Sequence, residues 1–114
     1  MEFELNNRNL DQDDVLDLIG NFPYIPLGNK VYITINTVEP DDSVTFAGTM
    51  LSPSQYVLAK GHRVYEQVKP GGKIVLDLES MVNEEGQIKI VPVEVGDFIL
   101  ALIDDRYIQA IDLN

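Results

Sequence analysis

From Pro23 onward the chain alternates short β-branched and aromatic runs with turn signals, and this rhythm constrains the fold more than any other feature. Runs at 31–35, 56–60, 64–68, 73–78, 87–93, 97–103 and 107–111 are rich in Val, Ile, Leu, Tyr and Phe, the residues that suit a pleated, half-buried surface. The breaks between them are chemically specific. Lys69-Pro-Gly-Gly72 places Pro and Gly where a type II turn requires a fixed φ and then a positive one. Asn83-Glu-Glu-Gly86, Val95-Gly-Asp97 and Asp104-Asp-Arg106 are further turn signals. Seven such short runs after Pro23, with no convincing helix among them, predict a small β-barrel or sandwich. Pro92 cannot donate to a ladder and is expected at a strand edge or bulge.

Residues 1–22 follow another pattern. They hold six acids and one Arg, whereas residues 23–114 hold 13 acids and seven bases. Residues 11–20 predict a short helix. Asn9 or Asp11 can cap it, Asp13 and Asp14 face the positive dipole end, and Gly20 suits the position just past the last turn. Val15, Leu18, Ile19 and Phe22 form one apolar stripe. A helix this short is marginal alone, so the stripe must dock, either on the chain's own sheet or on a partner. The expected organisation is an acidic N-terminal extension over 1–22 and a β domain over 23–114.

Composition excludes several functions. A net charge of −11 argues against nucleic acid and anionic membrane surfaces as partners. With no Cys in the chain, disulfides, thiol nucleophiles and Cys-based zinc sites are absent. No apolar run reaches the ~18 residues of a membrane span, and the acidic start does not resemble a signal peptide. A soluble, intracellular domain is the expectation.

Residues 38–55 show no sustained period and contain two prolines, a glycine and adjacent acids. They predict a long loop, and such loops tend to be functional. Phe46 and the Met50-Leu51 pair lie inside it. These side chains either plug the β domain or serve as bait for a hydrophobic groove on a partner.

Catalytic chemistry is sparse. His62 is the one imidazole, set in a Lys-Gly-His-Arg turn. Ser43, Ser52, Ser54 and Ser80 lack a nucleophile-elbow glycine pattern. Asp41-Asp42, Glu84-Glu85 and Asp104-Asp105 are adjacent acids without the spacing of a calcium loop. No Gly-rich phosphate loop is present. The expectation is a protein with no catalytic residues, no cofactor and no metal.

Five pieces of the sequence, in order, resemble the GroES family of co-chaperonins. Ile25-Pro-Leu-Gly-Asn-Lys-Val-Tyr-Ile33 is similar to the family's opening. Ala47-Gly-Thr-Met-Leu51 is similar to the Gly and aliphatic tripeptide of its mobile loop, and Tyr56-Val-Leu-Ala-Lys-Gly61 to the strand leaving that loop. Val68-Lys-Pro-Gly-Gly-Lys-Ile-Val75 resembles a turn and strand of the family, and residues 98–111 resemble its closing strands. Gly72 departs from the family's usual Asp, Thr49 replaces an aliphatic residue, and 62–67 is too short for the family's roof hairpin. The extension 1–22 has no family counterpart.

The resemblance implies a small GroES-like β-barrel with a short N-terminal helical extension, forming a ring, expected to be a heptamer. It implies that the first strand (30–36, with Val31, Tyr32 and Ile33) pairs with a neighbour's last strand (107–113, with Ile108, Ala110 and Ile111). It also implies that Thr49, Met50 and Leu51 insert into chaperonin apical domains, with Gly48 supplying backbone freedom. The expected function is that of a co-chaperonin in the cytoplasm. The departures suggest a divergent or phage-encoded relative, so the alternative is a ring or decoration protein of a virion built on the same barrel.

Overall fold

The structure, a computed structural model, describes residues 9–38, 45–46, 49–88 and 90–113. The fold is mainly β. Helix α1 (Gln12–Gly20) is followed by β1 (Lys30–Ile33), β2 (Thr45–Phe46), β3 (Thr49–Met50), β4 (Ser54–Lys60), β5 (Lys73–Leu76), β6 (Val91–Val95), β7 (Phe98–Asp104) and β8 (Ile108–Asp112). Six strands form one antiparallel sheet in the order β6-β7-β1-β4-β5-β8, while β2 and β3 pair separately. β4 turns the sheet. Its first residues pair with β5 (Gln55 with Ile74) and its last with β1 (Val31 with Lys60). This order leaves β6 and β8 as the two edges, and the described strands are not closed into a barrel by pairing between them.

Period-2 alternation sorts the strand residues onto two faces, and both are buried. Val31, Ile33, Val57, Ile74, Leu76, Ala101 and Ile103 belong to one apolar cluster, joined by Leu51, Val64, Val68 and Met81. Tyr32, Leu58 and Leu100 point the other way, into a second cluster with Leu10 and Val15. Leu18, Ile19 and Phe22 pack against that second cluster, so the stripe of α1 docks on the chain's own sheet. Asp11 caps the helix and forms a reciprocal capping box with Asp14. Gly20 is inside the helix, and Asn21 ends it without a left-handed residue.

Most expected strands appear with shifted ends, but 64–68 is not a strand. Val64 N–H donates to Gly61 O (3.2 Å) and Val68 N–H to Tyr65 O (3.1 Å), so successive turns bury Val64 and Val68 while the backbone stays out of the sheet. The turn signals fared better. Gly71 has φ 87° and Gly72 N–H donates to Lys69 O at 2.9 Å, as a type II turn demands. Gly96 (φ 60°) and Asp97 make the two-residue link between paired Val95 and Phe98. Pro92 sits on edge strand β6.

Candidate functional site

At the base of the segment singled out in the sequence, 38–55, is a stem held by three amide side chains. Gln55 is 2 % exposed and spends every polar atom on the stem. Its Nε2 donates to Asn36 O (2.9 Å) and Ser52 O (2.8 Å), while Oε1 accepts from Asn36 N–H (2.8 Å) and the Thr34 hydroxyl (2.7 Å). Asn36 repeats the device toward the N-terminal segment. Its Oδ1 accepts from Leu10 N–H and its Nδ2 donates to Leu10 O, both at 2.9 Å. Asn9 does the same to Thr37, accepting from its N–H (2.9 Å) and donating to its carbonyl (2.8 Å). Side-chain amides thus imitate a strand partner where the chain leaves the sheet, so its buried backbone groups remain satisfied.

Above this stem, Thr37 bridges to Leu51 and Ser52 N–H donates to Asn36 O at 2.9 Å. Within the segment, β2 and β3 pair with Thr45 opposite Met50 and Phe46 opposite Thr49. The expected loop is therefore shorter than 38–55, because Ser54 and Gln55 already belong to β4.

Among the four residues expected to bind a partner, Thr49 and Met50 lie in β3, and Gly48 lies outside the described residues, as do Asp41, Asp42 and Ser43. Leu51 is corrected. It is 4 % exposed and part of the main apolar cluster, so inserting it elsewhere would open a cavity in its own core.

The first strand expected at the subunit interface is β1. β1 is bonded to β4 on one side and β7 on the other, and Val31, Tyr32 and Ile33 are buried, so this strand offers no free edge to a neighbour. β8, with Ile108, Ala110 and Ile111, is an edge. Its exposed apolar surface includes Ile111 and, beyond the strand, Leu113 at 92 %. A second exposed apolar stretch, missed in the sequence, is the link before β1, where Ile25 is 88 % and Leu27 76 % exposed. Its start is pinned by Phe22, whose ring meets Tyr32 edge-on at 5.0 Å, and by Tyr24 stacked on Tyr32 at 5.8 Å. Burial, and then the neighbouring Tyr24, pushes the Tyr32 phenol above its ordinary value.

Of the adjacent acids, Asp104 and Asp105 hold structure together. Asp104 accepts from Arg106 N–H (3.1 Å), a bond that holds its carboxyl below the usual range, with Lys30 at 3.7 Å adding to it. Asp105 is buried and accepts from Asn29 Nδ2 at 3.2 Å. Glu84 and Glu85 occupy an exposed turn, and His62 is exposed. Among the described residues no group of three or more His, Asp or Glu could hold a metal. No described helix is long and apolar enough to cross a membrane.

No protein-family model matches this sequence, and no curated protein is significantly similar to it. The functional reading therefore rests on the residues and their arrangement.

Proposed function

We propose that the protein is a GroES-type co-chaperonin, in which a ring of subunits presents the β2–β3 hairpin to chaperonin apical domains and so assists protein folding. The single observation that carries this reading is the hairpin itself. Thr49 and Met50, within the piece that resembles the family's mobile loop, pair with Thr45 and Phe46 in a two-stranded sheet apart from the main one. The clamped stem supports the reading, since it ties the base of the hairpin to the sheet. Leu51 belongs to the stem in this account, and Thr49 and Met50 carry the contact.

Ring formation, as a heptamer, draws on edge strand β8 and the exposed link. An open edge is a template for further pairing, and Ile25 and Leu27 of one subunit supply apolar cover for Ile111 and Leu113 of the next. A barrel closed by such contacts is the expected form in the ring, and the cytoplasm is the expected compartment. A single ordered hairpin binds weakly, because fixing each residue costs about 1–2 kcal/mol. Several on one ring gain avidity through effective concentration.

The test is inhibition of ATP hydrolysis and co-sedimentation with a bacterial chaperonin in the presence of nucleotide. Wild type should bind and slow hydrolysis, and Met50→Asp should do neither while keeping its fold. A well-folded wild type that does not bind would refute the reading and leave the virion-type ring or decoration protein as the alternative.

A further inference from the structure

Two adjacent residues at the base of the hairpin, Asn36 and Thr37, are held from both sides. On one side stand Ser52 and Gln55. Asn36 O accepts from Ser52 N–H and from the Gln55 amide, and Asn36 N–H donates to Gln55 Oε1. On the other side stand the residues that lead into α1. Asn9 bonds the N–H and the carbonyl of Thr37, and the Asn36 side chain bonds the N–H and the carbonyl of Leu10. Successive residues of an extended chain turn their backbone groups to opposite edges. Asn36 and Thr37 thus behave as a two-residue strand between the hairpin base and the N-terminal segment, and Thr37 also bridges to Leu51.

Leu10 is the joint of this arrangement. Its backbone belongs to the amide network, while its side chain is buried in the cluster of Val15, Leu58 and Leu100 on which α1 docks. It directly precedes the N-cap Asp11, whose capping box with Asp14 fixes the entry of the chain into the helix. Leu10 and α1 therefore move as one piece, and undocking of the helix strips the Asn36 side chain of both Leu10 bonds. The Asn9–Thr37 bonds lie in exposed positions, where water can replace them at modest cost, a condition for local opening below global unfolding.

We infer that residues 9–20 are a strap that controls the base of the β2–β3 hairpin. With the strap docked, Asn36 and Thr37 are held in register for Gln55, Ser52 and Leu51; its release loosens that base without unfolding the sheet. Coupling between two sites is reciprocal, so a partner that reorders the hairpin base also shifts the strap. The inference is independent of the co-chaperonin reading, because the strap and the base belong to one chain and need no ring.

Native-state amide hydrogen exchange, followed by NMR on the full-length protein, reads both ends of the device. In wild type the Asn36 and Ser52 amides and the Leu18 and Ile19 amides of α1 should exchange faster than those of β1 and β7. Val15→Ala weakens docking at a fully buried position of the helix. It should speed exchange at Asn36 and Ser52 by at least about threefold. Asn36→Ala removes the side chain that holds Leu10 and leaves the Asn36 backbone bonds in place. It should speed exchange at Leu18 and Ile19 by at least about threefold. Acceleration confined to the mutated end in either variant would overturn the inference. So would wild-type strap and base amides that exchange only as slowly as those of β1 and β7. Should Val15→Ala not fold, Asn36→Ala, which takes nothing from the apolar clusters, decides alone.

Discussion

Gln55 and Asn36 are joined by two opposed hydrogen bonds: Asn36 N–H donates to the Gln55 side-chain oxygen at 2.8 Å, and the Gln55 amide donates to Asn36 O at 2.9 Å. One buried side chain thereby does the work of a missing strand at the base of the hairpin. Gln55→Leu removes it and leaves the Thr34 hydroxyl, the Asn36 backbone and Ser52 O short of partners. Chemical denaturation should show a loss of about 1–3 kcal/mol. Hydrogen exchange should show the Asn36 and Ser52 amides opening well before the β1–β7 amides, whereas uniform loss of protection would contradict a local clamp.

Leu51 and Met50 are adjacent in sequence yet assigned to different tasks. Leu51→Ala should lower stability by about 2–5 kcal/mol, as for other buried large-to-small changes. At temperatures where it stays folded, it should retain most chaperonin binding. Thermal melts paired with co-sedimentation separate the two effects.

Gly61 carries no side chain because the backbone of Leu27 and Gly28 lies against it, and a Cβ would overlap the Gly28 carbonyl. That carbonyl also accepts from Arg63 N–H at 3.0 Å, so it cannot move freely. Gly61→Ala should destabilise by about 1–3 kcal/mol. It should also disturb the exposed Ile25–Leu27 link and, with it, the proposed ring assembly, which analytical ultracentrifugation would detect.

Tyr32 gives the fold an alkaline limit. Its folded-state pKa is raised above 10.0 by burial and by Tyr24. The native state therefore holds the proton longer than the unfolded chain. Stability from this group is full below pH 10.0 and is lost as pH rises toward the raised value. Tyr32→Phe should flatten the fall in stability above that pH, measured by urea midpoints across the alkaline range.

Much of this architecture was legible in the sequence. The helix stripe at Val15, Leu18 and Ile19, the turns at Gly71 and Gly96, and edge residue Pro92 follow from local chemistry. The misread parts are those decided by distant segments. Val64-to-Val68 alternates like a strand, yet two buried valines suffice to anchor turns there. Val31-to-Ile33 is the first strand, as it reads, and the full strand order adds that β4 and β7 flank it. The stem is the clearest case. Asn9, Asn36 and Gln55 are far apart in sequence and polar, and nothing local signals that their amides stand in for backbone. Asn9 was a candidate helix cap, but Asp11 takes that role and Asn9 binds Thr37 instead.

The net charge of −11 per chain opposes association of like copies. Salt should therefore favour the proposed ring, and on that proposal dilution at low ionic strength should dissociate it.

The most direct test of the central claim is native mass spectrometry of the protein mixed with a chaperonin and nucleotide. The co-chaperonin account predicts a complex carrying seven copies of this chain on a chaperonin ring, absent for Met50→Asp. A folded protein that stays monomeric and yields no complex would contradict it.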